Sequence, residues 1–176
     1  PLNFTGAVNG MNVILHWDLP SGITPVEYLI KYDDGVGENA VAWYDPGSEF
    51  AVRFTPKGYP CDLLKFHMNI WDGTWPAGDI LNPFRIVVYD DDGGNGWPGT
   101  ELGQIDVTPE GFNWVTFDIS SLGITINDGD FYLSHWQLGV NPNCPPTAID
   151  ETSAGQGRSY ERQGGGAWVE EVSYDH

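Results

Sequence analysis

The sequence predicts an all-β fold: an antiparallel β-sandwich, jelly-roll-like, with an extension strand at its N-terminal side. Three observations carry that prediction. Apolar residues alternate with period two over short runs. Between the runs, 23 glycines and 13 prolines are spread along the whole chain rather than gathered in one linker. Finally, no stretch of ten residues shows convincing apolar spacings of three and four, the mark of a helix.

Taken in order, "MNVILHW" puts Met11, Val13, Leu15 and Trp17 on one face. "FAVRF" does the same for Phe50, Val52 and Phe54. "LKFHMNIW" alternates Leu64, Phe66, Met68 and Ile70 against Lys65, His67, Asn69 and Trp71. "FRIVVY" reads as a strand covered on both faces. "WVTFDI" turns Val115, Phe117 and Ile119 inward, and "DFYLSHWQL" carries aromatics on both faces. "GRSYER" and "AWVEEV" complete the set. Eight or more short strands with turn signals between them suggest a sandwich.

One boundary stands out. "DLPSGITPVEY", between residues 18 and 28, combines proline, glycine and serine. It divides the chain into an N-terminal strand segment with its linker, 1–27, and a sandwich domain, 28–176. A strand pair is marginal alone, so the first segment must pack on the main sandwich, a neighbouring domain or another copy of the chain. In the last case, the strand carrying Val13, Leu15 and Trp17 would complete a neighbour's sheet, and head-to-tail repetition would make a filament.

The bulk numbers exclude several classes. With 25 acidic residues against 7 basic ones, the formal charge is −18, which repels phosphate backbones and anionic lipid heads. Nucleic acid is thereby excluded as a partner, and neutral polymers and cations are not. The apolar runs fall far short of the ~20 residues a membrane-spanning helix needs, so no membrane insertion is expected. No signal peptide is visible, and a chain starting at Pro1 reads as a mature or excised piece. Cys61 and Cys144 allow one intramolecular bridge, contributing about 4 kcal/mol in an oxidising compartment. The competing reading is two unpaired thiols.

Beyond residue 32 the chain resembles a family of jelly-roll modules found in large secreted and cell-surface bacterial proteins. The resemblance rests on "YDDGVGENA", "FAVRFTP", "VYDDDGGNGWPGTEL", "FDISSLGITINDGDFYL" and "GRSYERQGGGAW". In that family the module often follows a truncated fibronectin type III-like opening, which "PLNFTGAVNGMNVILHWDLP" resembles. The resemblance implies an extracellular or cell-surface setting and a non-catalytic role in adhesion, assembly or substrate attachment. It supplies no catalytic residues.

Two acidic loops are candidate calcium sites, since calcium takes six to eight oxygens. One holds Asp90, Asp91, Asp92 and Asn95; the other holds Asp33, Asp34, Glu38 and Asn39. The first lacks the EF-hand order, because position 94 is glycine and no acid closes the loop. For both, the alternative is a plain polar turn with glycines at positive φ. "NDGD" at 127–130 reads as a plain turn.

Eight tryptophans raise a second possibility, carbohydrate binding. Sugar C–H faces stack on flat rings, and "WDGTWPAGD" places Trp71 and Trp75 beside hydrogen-bonding aspartates. Trp97 is the third candidate of such a platform for polysaccharide. The alternative is that the rings cap the ends of the sandwich. The histidines, His16, His67, His135 and His176, form no HExxH or HxH pattern. His67 and His135 lie on strands expected to share a sheet face. No nucleophile sits in a GxSxG or papain-like context, so catalysis is not expected.

Overall fold

The computed structural model describes residues 12–17, 26–77, 81–152 and 156–176, the first of these stretches as backbone only. It is all-β, with two antiparallel sheets. The strands are β1 (Asn12–Trp17), β2 (Val26–Ile30), β3 (Asn39–Val41), β4 (Glu49–Phe54), β5 (Cys61–Ile70), β6 (Phe84–Asp90) and β7 (Glu101–Val107). They continue with β8 (Asn113–Asp118), β9 (Thr125–Ile126), β10 (Phe131–Trp136), β11 (Thr147–Ile149), β12 (Ser159–Arg162) and β13 (Val169–Glu171). The helical turns among the described residues are two three-residue 3-10 segments, at Gly94–Gly96 and Ser120–Leu122.

One sheet runs β2-β1-β5-β11-β3, with β8 and β9 also pairing β5. β5 is its spine. β1 pairs residues 61–67 of β5 and β8 pairs residues 65–70, so these two strands must lie on opposite edges of it. The second sheet runs β13-β12-β4-β10-β6-β7. Phe50, Val52, Phe54, Phe84, Ile86, Val88, Phe131 and Leu133 face inward from this sheet, and Leu63, Phe66, Met68, Ile70 and Phe117 meet them from the first. Residues of this size bury about 2 kcal/mol each of apolar transfer energy, which makes this interior the main source of stability.

Two differences from the period-two reading have local causes. In β5 it is Leu63, not Leu64, that turns inward. The register against β1 passes from Leu63 to Lys65 and skips Leu64, a β-bulge that reverses the alternation once. His67 and His135 do not share a face. His67 points outward from β5 and bonds Thr116 Oγ1 (2.8 Å), whereas His135 is fully buried on the inner face of β10.

The N-terminal strand packs on its own sandwich. β1 lies between β2 and β5, with Val13 opposite Ile30 and Phe66, Leu15 opposite Tyr28 and Leu63, and Trp17 opposite Val26 and Cys61. Both edges of its backbone are paired within the chain. The observation that motivated strand donation, a strand without partners, therefore does not hold in the folded chain. The linker at 18–25 and the asparagine of "NFT" lie outside the described residues.

The Cys61–Cys144 bridge is not formed, and geometry explains why. Both cysteines are free and buried. Cys61 opens β5, whose ten residues at about 3.3 Å each span about 30 Å. Cys144 lies at the far end, three residues before Thr147, the partner of Ile70. A disulfide needs Cα atoms within about 7 Å. Burial pushes both thiols up to about 11, which suppresses the reactive thiolate. Accordingly, a reductant is expected to leave the melting temperature unchanged. A thiol assay should find two free groups per chain in denaturant and far slower reaction in the native protein. A reductant-dependent drop in melting temperature would contradict this arrangement.

Candidate functional site

The triple aspartate closes the β6–β7 hairpin. Asp90 Oδ1 accepts the Asp91 N–H (2.9 Å). Asp91 Oδ2 accepts the Asp130 N–H (2.9 Å), tying this loop to the turn before β10. Asp92 accepts from Thr100 twice, from its N–H and its Oγ1, both at 2.6 Å. Those bonds from Thr100 hold the Asp92 carboxyl below the usual carboxylate range. Asn95 takes the left-handed conformation at φ 63° and is exposed. Gly129, at φ +68°, faces the same loop, and a Cβ there would lie 2.7 Å from Asp91 Oδ1. Asp90 and Asp92 thus hydrogen-bond within their own hairpin loop, and the acidic cluster of metal-binding spacing among the described residues, Asp34, Glu38 and Asp150, does not include them.

The second acidic loop does assemble. One carboxylate oxygen each from Asp34, Glu38 and Asp150 falls within 4.8 Å of the others. Asp150, 3% exposed just past β11, is the residue that sequence reading missed, because it lies 116 positions from Asp34. Asp34 Oδ1 accepts the Val36 N–H (2.8 Å), and Thr152 Oγ1 reaches both Asp34 and Asp150 at 3.0 and 3.2 Å. Asp33 stands beside this group and is not part of the trio. This is where the described residues could offer a cation several oxygens.

A third feature is an aromatic end. Trp71 follows β5 directly and donates its N–H to Pro146 O (3.2 Å). The turn after it is stiffened by Asp72 Oδ1, which accepts from the Thr74 N–H (2.9 Å) and Oγ1 (2.6 Å). Gly73 sits at φ +84°, and Phe112, from the β7–β8 connection, lies on it so closely that a Cβ would be 2.8 Å from the ring. Trp75 is 41% exposed and Phe112 39%. Trp114 stands opposite Asn69 in the β5–β8 ladder, on the outward face of the same sheet. Phe112 could not be read as part of this group from sequence, since only the fold brings residue 112 against residue 73.

Trp97 is not part of that platform. It lies on the β6–β7 loop, at the end of β6 where Asp90 meets Phe131. The Trp71 end is the other one, where Ile70 meets Thr147 and Thr147 meets His135 (2.7 Å). Trp97 packs on Tyr160 (5.7 Å). It belongs to a second apolar layer outside β4, β10, β6 and β12, with Ala51, Val87, Tyr89, Tyr132 and Tyr160 beneath Trp97, Trp136 and Trp168. At its centre the fully buried Glu49 accepts bonds from Arg162 through Oε1, and from Tyr89 (2.9 Å) and Ser134 (2.7 Å) through Oε2. Arg162 lies over Trp168 at 4.7 Å. Burial first and the Glu49 charge second raise the Tyr89 phenol. Trp43, at the aromatic end, stacks on Phe50 (6.3 Å) and caps the interior.

The chain is 34% identical over 137 residues to Bacillopeptidase F of Bacillus subtilis (strain 168). The match takes in 75% of this chain and 9% of that protein, so the chain corresponds to a small part of a much longer polypeptide. No family profile and no solved structure matches the chain.

Proposed function

We propose that this chain is a non-catalytic extracellular accessory module, and that it attaches to neutral polysaccharide through its aromatic end. The observation that carries the reading is that Trp75 and Phe112 are both exposed at one hydrogen-bonded turn, Trp75 following it in the chain and Phe112 lying on its Gly73. Flat rings held on a stiff loop lose little conformational entropy on stacking. The charge of −18 supports an uncharged ligand over a phosphate- or sulfate-bearing one. Similarity to 9% of Bacillopeptidase F supports the part of an appended module rather than of the reacting domain. Burial of both thiols, His135 and His176 supports the same view, because none of these groups can meet a substrate.

The test is retention on insoluble neutral polysaccharides and migration in gels containing soluble ones. Trp75→Ala and Phe112→Ala should each weaken binding about tenfold. Tyr59→Ala, at the opposite end and 40% exposed, should have no effect. Absence of retention on every neutral glycan, or equal loss in all three variants, rejects the aromatic end as the attachment surface.

A further inference from the structure

The interior of the sandwich contains two imidazoles whose ring contacts among the described residues are all aromatic. His135 is fully buried and His176 is 4% exposed. His135 Nδ1 meets Thr147 Oγ1 (2.7 Å), but among the described residues its Nε2 has no hydrogen-bond partner, and neither ring nitrogen of His176 has one. His135 is faced by Phe50 of β4 (5.9 Å), Phe84 of β6 (4.4 Å) and Thr147 of β11. His176 is faced by Phe50 (5.0 Å) and Tyr174 (5.4 Å). Among the described residues, the titratable groups in ring contact with the pair are the two rings themselves and Tyr174, whose hydroxyl points to Glu161 Oε2 (3.4 Å). Asp175, next in chain, directs its carboxylate to Ser159 Oγ (2.8 Å) and the Gln156 N–H (3.5 Å).

The segment that delivers His176 joins the two sheets. It leaves β13 of the second sheet, and Asp175 then exchanges both backbone bonds with Asp150 (2.8 and 2.9 Å), the residue after β11 of the first. The Ser159 hydroxyl, on β12, receives the His176 N–H (3.1 Å). Residues 172–176 thus form a strap across one side of the sandwich, with a histidine as its plug.

We propose that this strap is an acid-released closure: it holds while His135 and His176 are neutral and lifts when the plug histidine takes a proton. The ring contacts of the pair offer a charged imidazole no carboxylate, and a buried unpaired charge is costly, so protonation favours the state in which the ring has left. Burial holds both rings down to about 3, with each other's charge a lesser cause for His135. The sign follows from linkage. An open strap exposes a histidine with its ordinary value near 6.5, which binds protons that the closed strap refuses. Closure is thus fully favoured above about pH 6.5 and weakens continuously as the pH falls. Between pH 7.5 and 5.0 the opening equilibrium should rise about thirtyfold for His176 alone, and about a thousandfold when His135 is exposed with it.

Hydrogen exchange, normalised to intrinsic rates at each pH, tests this on the whole chain. Protection of peptides spanning 159–176 should fall by at least about thirtyfold from pH 7.5 to 5.0, while β5 and β6 keep theirs. His176→Phe fills the same space without a titrating group and should retain protection at pH 5.0. His135→Phe serves as a second variant and should lose less protection than the wild type. Unchanged protection of the strap in the wild type overturns the proposal. So does equal loss in His176→Phe, or a histidine resonance of the closed protein titrating near pH 6.5.

Discussion

Arg162→Met is expected to destabilise the chain by about 3–5 kcal/mol, the range for removing one partner from a buried ion pair. Glu49 is fully buried, and its Oε1 is held by the Arg162 guanidinium from the adjacent strand. Tyr89 and Ser134 donate to Oε2 but bring no positive charge. Without Arg162, the carboxylate would remain in an aromatic layer with no cation. The loss should appear as a shift of the urea midpoint at unchanged slope. Glu49→Leu combined with Arg162→Met should recover most of it, because two apolar side chains leave no stranded charge. A double variant as unstable as Arg162→Met alone would mean that packing, not charge, sets the cost.

Phe50→Ala should cost a similar amount, about 3–5 kcal/mol. Phe50 is fully buried and touches Trp43, His135 and His176 at 6.3, 5.9 and 5.0 Å between ring centres. Truncation opens a cavity lined in part by unpartnered ring nitrogens, which favours entry of water. The two histidines would then be hydrated, and their titration should move back toward the ordinary value. The paired readouts are a lower denaturation midpoint and a histidine resonance that titrates in the folded state. Phe50→Leu, retaining most of the volume, should cost less. A Phe50→Ala protein of wild-type stability would show that the side chain is not central to the core.

The strands were legible wherever one face of the chain meets the core. β4 and β8 turn inward the residues read from "FAVRF" and "WVTFDI", and β10 carries aromatics on both faces as read from "DFYLSHWQL", Phe131 in the main core and Tyr132 in the outer layer. The doubly covered reading of "FRIVVY" also holds, because β6 is central and its outer face carries the second apolar layer. The bulge at Leu64 was not legible, since an inserted residue leaves no compositional mark. Nor could pattern alone find the Asp34–Glu38–Asp150 trio, the Glu49–Arg162 pair or Phe112 over Gly73. Each joins residues distant in sequence, and period-two patterning reports which face a residue occupies, not which strand lies beside it. The aspartates of 90–92 could not be assigned from pattern for a related reason: a turn that needs side-chain acceptors selects the same residue types as a cation does.

The place of β5 in its sheet has a kinetic consequence. Its partners are β1, β8, β9 and β11, so this one strand must collect segments that begin at Asn12 and end at Ile149. Closing loops of that length carries an entropic toll before any ladder repays it, and chains dominated by such pairings fold in milliseconds to seconds. During that interval the future spine would be an unpaired ribbon with Phe66, Met68 and Ile70 along one side.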